Sequence, residues 1–227
     1  MKTSTALALL LFVFLAGGCT GVARDGTPVA VYDFGQTVSS AEDAGTVGTD
    51  GWIGRLALDV RAAPWLDTPG IGYRLAYGDP RRRGQYSGSR WAASPARLLA
   101  QQLRRRIGFA SADGVAVDCV LRVELQEFSQ VFTAPQVSHG VAQGQASLID
   151  GRRRLLASRA FDVERLAHRS DAAGGVQALV EASEELGRQL ATWLDRLERE
   201  DSSKIAGCGS GIRDQGSGIR DQGSEAR

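Results

Sequence analysis

From Val115 to Leu125 every second residue is apolar without a gap: Val115, Val117, Cys119, Leu121, Val123 and Leu125. Successive side chains point to opposite faces of a strand, so the run reads as a strand with one buried face, and Cys119 lies on that face. A second long strand is expected over Val137 to Ile149. Asp150 and Gly151 then suit a two-residue type I′ turn into a strand from Arg152 to around Arg165. Val176, Leu179, Val180, Ser183, Leu186, Leu190, Leu194 and Leu197 follow the three-and-four spacing of an amphipathic helix, with Ser183 the polar member.

Upstream, Val29 to Phe34 reads as a first strand, followed by a loop rich in Gly, Ser, Thr and Asp up to Gly51. Leu56, Leu58 and Val60 alternate with Arg55, Asp59 and Arg61 until Pro64 breaks the pattern. Ile71, Tyr73, Leu75 and Tyr77 share a strand face, and Gly78 to Gly84 turns the chain into a partner strand over Gln85 to Arg90. Ser94 before Pro95 is a helix start, an N-cap hydroxyl with proline in the first helical position, and Leu99, Leu103 and Ile107 mark one helix face. The element order predicts an α+β fold: one domain, with an antiparallel-rich sheet and two helices packed on one face.

The N-terminus decides where such a domain works. Lys2, the apolar run Ala6 to Ala16 and the small residues before Cys19 have the layout of a secretory signal, and the run is too short to span a bilayer. Leu15-Ala16-Gly17-Gly18-Cys19 is similar to a bacterial lipobox, although Ala16 stands three residues before the cysteine where leucine is usual. Residues 1–18 are expected to be cleaved and Cys19 acylated, and by resemblance to bacterial lipoproteins Thr20 suggests sorting to the outer membrane. Residues 19–28 would then be a tether and 29–200 the domain. Residues 201–227 are read as a disordered tail, in which Gly-Ser-Gly-Ile-Arg-Asp-Gln recurs from Gly209 and from Gly216.

Composition narrows the function. After the signal about 200 residues remain, enough for one core. The formal charge of +1 includes Lys2, so the mature chain has no global field to attract nucleic acid. With Cys19 acylated only Cys119 and Cys208 are left, one in a strand and one in the tail, and a disulfide framework is not expected. His139 and His168 are the two histidines and no ligand spacing suggests a metal site. Neither a nucleophile elbow nor a P-loop is present. Glu184 and Glu185 are helix neighbours about a hundred degrees apart and do not converge on one bond. The expected protein is not an enzyme and carries no cofactor other than the covalent lipid on Cys19.

The most distinctive stretch runs from Leu56 to Leu103: a strand into Pro64, Trp65, Leu66 and Asp67, then Ile71, Tyr73 and Arg74, then Tyr86, Trp91, Ala92 and Pro95 leading into the first helix. It resembles the ABC-type transport auxiliary lipoproteins of the PqiC-like family. The resemblance implies a palmitate-bearing periplasmic lipoprotein of the outer membrane. It further implies that this lipoprotein works with an ABC permease and ATPase and an MCE-domain protein in phospholipid transport that maintains the membrane. A homo-oligomer is an open arrangement, since a small anchored domain could ring the end of a conduit while no periodicity specifies a symmetric interface.

Trp65, Tyr77, Arg81, Arg82, Arg83, Tyr86 and Trp91 are the candidate contacts to a partner or to lipid. For Tyr73 and Trp91 a core position is the ordinary alternative, and for the arginines a solvated loop. Two other functions stay open: a lipoprotein regulator or assembly factor of another envelope machine, and an enzyme without a local motif. The short tether favours action near the membrane.

Overall fold

The apolar alternation through Cys119 builds the strand on which the rest of the sheet is registered. In a computed structural model that describes residues 28–35, 52–109 and 119–208, the strands are β1 (Ala30–Tyr32), β2 (Leu56–Ala62), β3 (Gly70–Leu75), β4 (Arg83–Trp91), β5 (Cys119–Ala134), β6 (Val137–Asp150) and β7 (Leu155–Leu166). The helices are α1 (Pro95–Ile107), α2 (Ala172–Glu200) and a short α3 (Ser202–Ile205). The sheet order is β1-β4-β3-β5-β6-β7, with β2 also paired to β5. The signal segment, Cys19, the loop before Gly51, Val115, Val117 and the tandem repeat lie outside the described residues.

β5 is longer than its alternation suggests because the pattern changes phase within it. Cys119, Leu121, Val123 and Leu125 are buried; after a register shift between Leu125 and Glu127, Phe128, Gln130 and Phe132 take over the helix-facing side. One extra residue at a bulge moves every later side chain to the other face. Gly144 on β6 permits the bulge: a β-carbon there would overlap the Glu124 carbonyl oxygen and the Phe161 ring.

Two strands lie end to end along one edge of β5. β2 runs parallel to its first half, with Leu56 opposite Cys119 and Ala62 opposite Leu125; β3 runs parallel to its second half, with Tyr73 opposite Gln130. Between them Pro64 and Pro69 lack the N–H needed for the ladder, so the chain bows out after Ala63 donates its N–H to the Leu125 carbonyl at 3.0 Å. The sheet is therefore mixed: β1–β4, β2–β5 and β3–β5 are parallel, and β3–β4, β5–β6 and β6–β7 antiparallel. The α+β single-domain expectation holds, with the sheet less antiparallel than expected. Both helices cover the same face, α1 over β2 and α2 over β5, β6 and β7.

Local chemistry sets the helix ends. Asp171 caps α2 by accepting from the Gly174 N–H at 2.8 Å. Ser183 is fully buried on the apolar stripe, and its hydroxyl donates to the Leu179 carbonyl at 2.8 Å. Gly140 lets α2 settle on β6, since a β-carbon there would overlap the Ala178–Leu179 backbone. At α1 the proline reading holds and the hydroxyl reading does not: Ser94 is the N-cap, yet its buried side chain makes no cap bond.

Two further expectations are corrected. The β6–β7 connection is not a two-residue type I′ turn. Asp150 and Arg154 close a three-residue loop in which Arg153 takes positive φ (64°), and the Asp150 carboxylate accepts from the N–H groups of Arg152 and Arg154. Those side-chain bonds favour a type I turn with a left-handed residue after it, so β7 starts at Leu155 and not Arg152. The fold also continues past residue 200. α3 and the turn after it bring Cys208 to Cys119, where the two form a disulfide with Cα atoms 5.2 Å apart. The length of α2 carries the chain back to the start of β5, a juxtaposition that the spacing of the cysteines does not reveal.

Candidate interaction surface

Arg74 on β3 and Arg83 on β4 sit directly opposite each other, and like charges in that position repel. Glu127 on β5 reconciles them. Arg74 Nε donates to its Oε2 at 2.7 Å, while Arg83 Nη1 donates to Oε1 at 2.9 Å and Oε2 at 3.1 Å. Arg74 Nη1 also donates to the carbonyls of Pro80 and Arg81, tying the β3–β4 turn back onto its strand. Arg83 is thus an internal partner and not a free contact, because as the first residue of β4 it is held in register over Glu127. Arg81 and Arg82 point outward from the turn, and the Arg81 side chain is 95% exposed. Glu127 was missed because it follows the phase change in β5.

On the helix-facing side Tyr86 donates its hydroxyl to Gln130 Oε1 at 2.7 Å, and Gln130 Nε2 donates to Ser138 Oγ at 2.8 Å. Burial, with smaller contributions from Tyr73 and Asp171, pushes the Tyr86 hydroxyl up to about 12. The Tyr86 ring lies 4.9 Å from that of Tyr73. Gln130 and Ser138 are fully buried, and Gly175 admits α2 against the Gln130 amide. This chain of hydrogen bonds satisfies polar groups inside the fold. Tyr86 therefore belongs to it as a half-buried structural residue.

Trp91 is 1% exposed and packs with Phe34, at 5.4 Å between ring centroids, and with Phe128, at 6.0 Å. It is a core residue, withdrawn from the candidate contacts by the same strand end that leads into α1. Tyr77 is not on a strand face either: β3 ends at Leu75, and Tyr77 stands in the turn, 50% exposed. Trp65 is 58% exposed in the β2–β3 connection. The expected aromatic patch thus separates into two exposed rings at different places, Trp65 beside the middle of β5 and Tyr77 beside Arg81 and Arg82.

Glu185 accepts from Arg188 and Gln189 and is ion-paired with Arg165 at 2.8 Å, and its carboxyl is held below the usual range by the Gln189 and Arg188 hydrogen bonds. Among the described residues no group of three or more His, Cys, Asp or Glu side chains could hold a metal ion, and no helix is long and apolar enough to cross a membrane.

The family model for the ABC-type transport auxiliary lipoprotein component matches residues 56–191, from the start of β2 into the second half of α2. Among solved structures, the chain is similar to protein XCC0632 from Xanthomonas campestris, of family DUF330, with 24% identity over 65% of this chain and 88% of that one and a TM-score of 0.55. It is also similar to an uncharacterized protein, with 14% identity over 74% of this chain and 99% of that one and a TM-score of 0.54. At these identities the structures share the fold. No curated protein matches.

Proposed function

From the premise that this chain belongs to the family of ABC-type transport auxiliary lipoprotein components, we propose that it is acylated at Cys19, held in the outer membrane facing the periplasm, and serves as a non-catalytic partner of an MCE-domain protein and an ABC permease and ATPase that move phospholipid between membranes. The family match over the β2-to-α2 core carries the reading. The exposed Trp65, Tyr77, Arg81 and Arg82 support it as places where a partner could bind without any chemistry being done. The finer terms, phospholipid cargo, the MCE partner and a role in membrane integrity, follow from what the Leu56 to Leu103 resemblance implies.

The test is to tag the chain, crosslink intact cells and identify what co-purifies from detergent-solubilised envelopes, with Cys19→Ala as the control that leaves the outer-membrane fraction. Recovery of an ABC permease or MCE-domain protein with the parent and not with Cys19→Ala is the expected result. Recovery of cell-wall synthases or assembly factors instead would overturn it in favour of an envelope regulator.

A further inference from the structure

Exposed large apolar residues are unevenly placed on this fold. Of Val29, Val31, Trp65, Leu75, Tyr77, Val137, Leu155 and Leu166, four stand at one end of the sheet: Leu75 and Tyr77 where β3 finishes, Val137 where β6 begins and Leu166 where β7 finishes. The registers bring them together, since Leu75 pairs with Phe132, Phe132 with Ser138, and the neighbouring His139 with Leu166. Three strand spacings span about 14 Å, so the four form one rim and not four isolated side chains. Among the described residues, the opposite end of the sheet, at the β6–β7 loop, contributes Leu155 alone.

The same rim carries cationic groups that the fold does not use. Arg81 faces only Asp79, at 3.7 Å, and Arg82 has no side-chain partner among the described residues. Guanidinium groups beside a tyrosine and short aliphatic side chains suit the boundary between phospholipid headgroups and acyl chains: the arginines meet phosphate, and the apolar tips enter below it.

The anchor points the same way. β1 runs parallel to β4, with Ala30 opposite Ser89 and Tyr32 opposite Trp91, so Pro28 and Val29 lie toward the start of β4 at Arg83, on the rim side. Cys19 lies nine residues before Pro28, a reach of at most about 30 Å. A bilayer holding acyl chains on Cys19 is therefore never far from this end. Among the described residues the opposite end has many arginines, Arg104 to Arg106 and Arg152 to Arg154, but no comparable cluster of exposed large apolar side chains, and Pro28 and Val29 enter β1 from the other side.

We infer that the end of the sheet formed by the β3–β4 turn, the β5–β6 turn and the end of β7 rests on the anionic phospholipid surface in which the chain is anchored. Trp65 and the opposite end then face the periplasm. The inference rests on the reading that Cys19 is acylated, and the two can fail separately.

The experiment uses the acylated full chain in vesicles of phosphatidylethanolamine and phosphatidylglycerol. One added cysteine, Gly78→Cys or His168→Cys at the rim or Arg152→Cys at the far end, carries an environment-sensitive fluorophore; Cys119 and Cys208 are already joined. Nitroxide-headgroup lipid should quench the probes at positions 78 and 168 several-fold more than the probe at position 152. Arg81→Gln with Arg82→Gln should weaken that quenching, because each basic residue near an anionic surface is worth about fivefold in local binding. A chain that floats with the vesicles but shows equal quenching at both ends, or none, overturns the rim assignment alone. So does a rim that quenches only when a periplasmic protein is absent and crosslinks to that protein when present. A chain that does not float overturns the acylation reading and this inference with it.

Discussion

Removing the link between Cys119 and Cys208 tests how the fold is closed. The disulfide joins positions 89 apart, the first described residue of β5 and the turn that follows α3, and both cysteines are fully buried. In the chain-entropy treatment a loop of that length restricts the unfolded chain by about 4 to 5 kcal/mol, and native disulfides of small exported domains typically contribute about 2–5 kcal/mol. Cys208→Ser is the informative change, because the Cys119 thiol left behind acts as a small apolar group beside Leu121 and the other core residues. With an m-value near 2 kcal/mol/M in urea, the midpoint should drop by roughly 1–2.5 M. The assay is a urea titration of parent and variant followed by tryptophan fluorescence, with thiol labelling of the folded parent as a check that both cysteines are unreactive. The m-value should rise in the variant, whose denatured chain is less constrained. A midpoint within about 0.3 M of the parent, which is about 0.6 kcal/mol at that m-value, would refute the reasoning. It would mean that the tail segment over residues 201–208 adds nothing to the domain.

Other consequences follow from single contacts. Glu127→Gln should destabilise the protein by about 2 kcal/mol, less than a fully buried pair because Arg74 and Arg83 are 21% and 24% exposed. Part of that loss should return in the Glu127→Gln, Arg83→Met double variant, measured as a double-mutant cycle in urea. Gly144→Ala should cost about 1–3 kcal/mol by driving the added methyl into the Glu124 carbonyl oxygen and the Phe161 ring, while Gly88→Ala, with nothing within 4 Å of its added carbon, should stay within about 0.5 kcal/mol; thermal melts compare the two. The Asp171 carboxyl is held below its ordinary value, first by the Gly174 N–H and then by the Arg169 guanidinium against a desolvation penalty. A depressed folded value stabilises above the unfolded pKa near 3.9 and loses that stabilisation as pH falls through the folded value. The advantage of the parent over Asp171→Asn should therefore shrink as the pH is lowered from about 5 toward 3, and an advantage that grew in acid would reverse the sign.

The parts legible in the sequence are those governed by local periodicity. The alternation at Leu56, Leu58 and Val60 and that from Cys119 to Leu125, the hairpin around Asp150 and the helical stripe from Val176 to Leu197 all appear where the spacing placed them. The start of β7 moved for a local reason, the Asp150 carboxylate bonds within the turn, and the other boundaries moved for tertiary ones. β5 runs on to Ala134 through a bulge that β6 accommodates with Gly144, and Tyr77 falls off the β3 face because its partner β5 is nearly spent at Phe132. Of the candidate contacts, exposure separated Trp65, Tyr77, Arg81 and Arg82 from Arg83, Tyr86 and Trp91. Arginines that follow one another in a turn look alike in sequence, and only the register of β4 against β3 places the third over Glu127.

By itself the sequence determined the fold class, the order of its elements and the Leu56 to Leu103 signature of the auxiliary-lipoprotein family, because hydrophobic spacing and turn chemistry act over a few residues at a time. Tertiary structure decided what depends on residues distant in the chain: the parallel pairing of β2 and β3 with β5, the ion cluster at Glu127 and the bond between Cys119 and Cys208. It also gathered Leu75, Tyr77, Val137 and Leu166 at one end of the sheet. Burial and charge pairing are properties of neighbours in space, and those neighbours come from segments that no local pattern connects.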